Sequence, residues 1–125
     1  MSRTARQGLG ATGEQIARLR LEQLGYRYIA ANWRCPAGEL DLVMQDDRVI
    51  AFCEVKIRRG AAMGMAEEAI SPAQGRRLLA AAQLFLAQHP EYQDAFWRID
   101  LYAITLDRTG AIVRETHITD AVQSG

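Results

Sequence analysis

Lysine is almost missing from this chain: of its fifteen basic residues fourteen are arginine, and the only lysine is Lys56. Cysteine and histidine are nearly as scarce. Cys35 and Cys53 form no Cys-x-x-Cys pair, and His89 and His117 lie far from them in sequence, which excludes the spacing of a zinc finger and the cysteine density of a disulfide scaffold. Cys53 sits in an apolar run and reads as a small buried hydrophobe. Two thiols without a secretory leader fit a reducing cytosol, so a cytoplasmic location is expected. No apolar run approaches the ~20 residues of a membrane span. Net charge is absent too: fifteen acids balance the fifteen bases, so bulk charge recruits neither nucleic acid nor membrane. Repeats and low-complexity tracts are lacking, and 125 residues with 49% hydrophobic content make one globular domain and not two.

What is present is unevenly spread. The first 34 residues carry six arginines against Glu14 and Glu22, a local charge of +4 that the rest of the chain cancels. Such a segment either tracks phosphates or is an arginine-laced solvated helix face. Residues 1–10 read as a flexible N-terminal segment and residues 11–125 as a single domain. Thr12 and Gln15 have capping-box spacing, and Ile16, Leu19 and Leu24 continue a helical pattern to Gly25. Gly8, Gly10 and Gly13 match the dinucleotide fingerprint in letter only. Seven preceding residues leave no room for the strand that motif must follow.

A β-leaning stretch, Tyr26 to Trp33, precedes a turn at Cys35 to Gly38; Glu39 to Gln45 and Val49 to Lys56 then read as a strand pair. Arg58 to Gly64 reads as a loop. Ser71-Pro72 opens a second helix that His89-Pro90 stops, and Trp97 to Ile104 and Ile112 to Ile118 complete the order helix, three strands, helix, one or two strands.

Glu39-x-Asp41 lies on one strand and Glu54-x-Lys56 on the next. Side chains at i and i+2 share a strand face, so each pair projects together, and if the faces coincide three carboxylates and one ammonium converge. Uncompensated, such a group is a poor core, because each ion loses hydration. Two carboxylates ~4 Å apart repel by about 4 kcal/mol at an effective dielectric near 20, and a divalent cation turns that repulsion into attraction. Oxygen-only ligands suit Mg²⁺ or Mn²⁺, which also take phosphate oxygens. The competing reading makes Glu54 and Lys56 an exposed pair on an edge strand. The retained lysine, a compact mobile point charge in a chain that otherwise uses arginine, favours the site.

Gly10-x-x-Gly13-Glu14 before an Ala- and Leu-rich helix, Gly25-Tyr26, Asn32-Trp33-Arg34-Cys35, Gly38-Glu39-Leu40-Asp41-Leu42 and Phe52-x-Glu54-Val55-Lys56-x-Arg58 together resemble the YraN family of small bacterial proteins. That family is similar to the restriction-endonuclease-like superfamily, which includes archaeal Holliday-junction resolvases. The resemblance implies an α/β fold with an αβββαβ core, a mixed central sheet flanked by helices. It implies Asp41 and Glu54 as metal ligands, with Glu39 assisting, Lys56 as the catalytic lysine and Glu14 as a further acidic member. Two positions depart from the family pattern: Ile57 replaces a usual threonine, and Gln74 stands where a lysine is common, keeping hydrogen-bonding capacity without charge.

The sequence thus points to a metal-dependent endonuclease hydrolysing phosphodiester bonds of structured or branched DNA or RNA, aided by a homodimer or a protein partner. Arg34, Arg58 and Arg59 flank the site and either grip phosphates or are exposed loop charges; Gln74 joins them as a substrate-binding candidate. Arg76 and Arg77 face nucleic acid or water, and Met63-Gly64-Met65 offers a contact surface. Two alternatives remain at this stage: a non-catalytic nucleic-acid-binding module of the same fold, and a protein-interaction domain with a structural acidic cluster.

Overall fold

The computed structural model describes residues 3–60 and 70–122, with side chains described from Thr12 onward. Helix α1 covers Arg3–Gln23, strands β1, β2 and β3 cover Arg27–Cys35, Gly38–Asp46 and Val49–Arg59, helix α2 covers Pro72–Gln88, and strands β4 and β5 cover Phe96–Leu106 and Ile112–Val122. The five strands form one sheet in chain order, antiparallel except where β4 runs parallel to β3. A parallel neighbour requires a crossover, and α2 supplies it.

The burial pattern explains the central position of β3. Ala51 and Cys53 pack under α1 with Ala17, Leu21, Leu42, Met44 and Ile104. Ile50 and Phe52, one residue out of phase, pack under α2 with Leu78, Ala81, Ala82, Phe85 and Ile99. A strand apolar on both faces needs cover on both, so the helices lie on opposite sides of the sheet. Trp33 closes the α2 side by meeting Phe85 edge to face at 5.2 Å.

Local signals set the ends of α2. The Ser71 side chain accepts from the Gln74 N–H at 3.1 Å, Pro72 occupies the first turn, and Pro90 cannot continue the helix. Gly75 lets the helix approach the sheet, since a Cβ there would stand 3.1 Å from Val122 Cγ1.

Three expectations are revised. Helix α1 begins at Arg3, so Thr12 with Gln15 lies inside a helix instead of capping one; the Gly8, Gly10 and Gly13 run is likewise helical. Threonine and glycine are tolerated in a helix interior, at a modest propensity cost, when the rest of the segment carries it. Arg58 and Arg59 belong to β3, which pairs with β4 through Arg59–Leu106 before Gly60 turns away at φ +77°. The third revision is at Asp41. Leu40 faces α2 while Leu42 faces α1, so strict alternation breaks between them. The Met63-Gly64-Met65 surface lies outside the described residues.

Candidate active site

The break at Asp41 builds the site. Regular pairing of β2 with β3 extends from Asp46–Val49 to Leu42–Cys53, and at the next position the Val55 N–H donates to the Asp41 carboxylate Oδ2 at 3.0 Å. A side chain thus takes a bond that the strand ladder would otherwise supply, which satisfies the backbone and holds the carboxylate in place. Beyond this point β2 and β3 part, and a cleft of about 210 Å³ opens, lined by Gly38, Glu39, Asp41, Glu54, Gln74, Arg77 and Leu78.

Glu54 is 7% exposed, yet it is not isolated. Its Oε1 accepts from Gln74 Nε2 at 3.0 Å and meets Lys56 Nζ at 3.3 Å. Burial, and then the charge of Asp41, pushes the Glu54 carboxyl up to about 7 from an ordinary 4.5. Burial also raises Asp41, against the opposing Val55 hydrogen bond, and the charge of Glu39 adds to the rise. Glu14, on α1, is raised to about 7 by burial, with Asp41 adding to the effect and a hydrogen bond from Asn32 opposing it.

The sequence-derived candidates therefore sort unequally. Glu39, Asp41, Glu54 and Gln74 share the cleft, and Lys56 joins through Glu54. Glu14 lies within electrostatic reach of Asp41 but lines a neighbouring cavity of about 160 Å³ with Asn32, Tyr28 and Arg18. Arg34 sits 3.9 Å from Glu39 and is otherwise solvated; Arg58 and Arg59 lie on the far reach of β3, outside the residues lining the cleft.

Two further residues join this region: Arg77, which the sequence left facing nucleic acid or water, and Asn32, which it named only within a motif. Arg77 lines the cleft one helical turn after Gln74. The i, i+3 relation from Gln74 was available as a signal, but only the docking of α2 shows which helix face meets the carboxylates. Asn32 stands in β1 at φ +53°, between the Ala31–Leu42 and Trp33–Leu40 pairs and so beside Asp41. Asparagine tolerates that left-handed conformation better than most residues.

On the opposite face of the sheet, Cys53, Asp100 and His117 bring ligand-type atoms within 4.8 Å of one another, the only such trio among the described residues. The chain distance that separated His117 from Cys53 in sequence is closed by β4 and β5. Two of the three already belong to a hydrogen-bonded network: Asp100, fully buried, accepts from Arg98 Nε at 2.8 Å, His117 Nε2 at 2.9 Å and the Asp120 N–H at 3.0 Å. Arg98 also donates to the Tyr26 hydroxyl at 2.8 Å. Burial drives the Cys53 thiol far up, keeping it neutral. Asp100 thus pairs with Arg98 and lies away from the cleft.

Residues 13–104 match the profile of Uncharacterised protein family UPF0102. The chain belongs to the UPF0102 family. UPF0102 proteins of Roseiflexus castenholzii and Frankia casuarinae are 43% and 39% identical to it, covering 92% and 94% of this chain and 93% and 98% of their own lengths. A UPF0102 protein of Mycolicibacterium gilvum is 43% identical, over 94% of this chain and 97% of its own. The UPF0102 profile spans Asp41, Glu54, Lys56, Gln74 and Arg77 and stops at Ile104, before β5 begins. Among the described residues of this UPF0102 chain no helix is long and apolar enough to cross a membrane.

Proposed function

We propose that this UPF0102 protein is a Mg²⁺- or Mn²⁺-dependent endonuclease that hydrolyses phosphodiester bonds in structured or branched nucleic acid. The observation that carries the reading is the gathering of Glu39, Asp41 and Glu54 in one cleft, with Lys56 Nζ 3.3 Å from Glu54. The resemblance of these motifs to the YraN family and to restriction-endonuclease-like enzymes supports it independently.

The donor set fits a hard divalent cation. Asp41 and Glu54 offer only oxygen ligands, with Glu39 lining the same cleft; burial chiefly raises both carboxyls, and the neighbouring carboxylate that raises each further is a repulsion that a cation relieves. When bound there, the cation supplies Lewis-acid polarisation of a phosphoryl oxygen and neutralises charge in the transition state. The chain supplies the remainder. Asp41 is held at a fixed position by the Val55 N–H, and Gln74 orients Glu54. Lys56 places a compact positive charge at the edge of the carboxylates, where it offsets the negative charge that grows as water attacks phosphorus and one P–O ester bond breaks.

The test is cleavage of linear, flapped and four-way-junction DNAs and RNAs in Mg²⁺ or Mn²⁺. Asp41→Ala is expected to abolish turnover and Lys56→Ala to reduce it by about 10²-fold or more. Cleavage that survives both substitutions comes from a contaminant and overturns the reading. Metal-independent, salt-sensitive binding without cleavage would make the chain a nucleic-acid-binding module of the same fold.

A further inference from the structure

Three cations stand at or beside the acidic cleft, and two of them are engaged with its carboxylates: Lys56 with Glu54 at 3.3 Å and Arg34 with Glu39 at 3.9 Å. The third, Arg77, lines the cleft with Glu39, Asp41 and Glu54. Among the described residues it takes part in no ion pair and no side-chain hydrogen bond. Among the described residues this exposed guanidinium, beside three carboxylates yet bonded to none of them, keeps its N–H donors for an incoming group.

The chemistry of the cleft dictates what that group is. A phosphodiester carries one negative charge, and the cleft carboxylates repel it until fixed positive charge compensates. Its two non-bridging oxygens match the planar fork of a guanidinium, which a point charge cannot reproduce. The supporting helix is also suitable. Arg77 lies in the second turn of α2, and the first turn contains no acidic residue to compete for its guanidinium.

We propose that Arg77 is the phosphate-binding residue of this cleft, its guanidinium receiving the non-bridging oxygens of a substrate phosphodiester beside Asp41 and Glu54. This assignment rests on the nuclease reading and adds to it the group that holds the substrate. Gln74, one turn earlier, is bonded to Glu54 and acts on the carboxylate, not on the phosphate.

The experiment measures binding of a fluorescein-labelled four-way-junction DNA across a salt series, with Ca²⁺ in place of Mg²⁺. It compares the wild type with Arg77→Ala, Arg77→Lys and Arg48→Ala. Arg48 is exposed in the β2–β3 turn, at the end of β2 opposite the cleft, and its substitution removes the same charge. Arg77→Ala is expected to weaken binding roughly tenfold and to lower the slope of log K against log salt by about one, with Mn²⁺ affinity unchanged. Arg77→Lys should keep the slope and recover only part of the affinity. If wild-type protein binds and cuts while Arg77→Ala matches Arg48→Ala in affinity and slope, this assignment is wrong and the nuclease reading stands. Wild-type protein that neither binds nor cuts any nucleic acid overturns both.

Discussion

Glu54 and Asp100 are the two buried carboxylates of the sheet, and their surroundings push them in opposite directions. Glu54 has one neutral amide, one ammonium and a second carboxyl around it, and it titrates near 7. Folded protein therefore holds more protons than unfolded protein between about 4.5 and 7, and stability falls as pH rises through that window. Thermal melts in EDTA should show a higher Tm at pH about 5.5 than at pH about 8, and Glu54→Gln should flatten the difference. A Tm that rises with pH in the wild type would contradict the raised Glu54 carboxyl. For Asp100 burial alone would raise the carboxyl, but the His117, Arg98 and Asp120 hydrogen bonds together outweigh it and hold the group below its ordinary 3.8. Its contribution is present above that value and is lost as pH falls through the depressed one, so it does not mask the Glu54 effect. Removing it leaves a half-buried guanidinium and imidazole without their acceptor. Asp100→Ala is expected to cost about 3–5 kcal/mol in urea unfolding.

Helix α2 carries both the core of one sheet face and the amide that positions Glu54. Its start was readable because Ser-Pro is a capping signal with a mechanism, and the Ser71 side chain does accept from Gln74 N–H. Ser71→Ala should lower stability by about 1 kcal/mol. The same substitution loosens the turn that carries Gln74, so a small fall in activity should accompany it; an unchanged urea midpoint would show that the cap is not used. Helix α1 was less readable. The capping-box spacing of Thr12 and Gln15 suggested a late start, whereas the helix begins at Arg3. Strand ends differed in the same way, with β1 reaching Cys35, β3 Arg59 and β5 Val122, because pairing with a neighbour extends a strand beyond its own local preference.

Across the molecule, β4 completes the sheet beside β3 only because α2 crosses over, and the carboxylate cleft lies between the parting strands and the start of that helix. Folding therefore concentrates negative charge that a divalent cation relieves. Mn²⁺ should stabilise the protein by mass action, about 2.7 kcal/mol at a hundredfold excess over Kd. The gain should be larger at pH about 8 than at pH about 6, because the ligands must lose their protons. Thermal shift with Asp41→Ala as control checks this, and an equal gain in that variant would place the ion elsewhere. The order of elements and the choice of Glu39, Asp41, Glu54 and Lys56 as candidates followed from the sequence, since hydrophobic periodicity and the chemistry of short motifs are local properties of the chain. Tertiary structure alone decided the rest. The parting of β2 from β3 at Asp41, the approach of Arg77 to the carboxylates, and the meeting of Cys53 with His117 depend on how elements dock, and docking is set by packing between residues that no spacing along the chain connects.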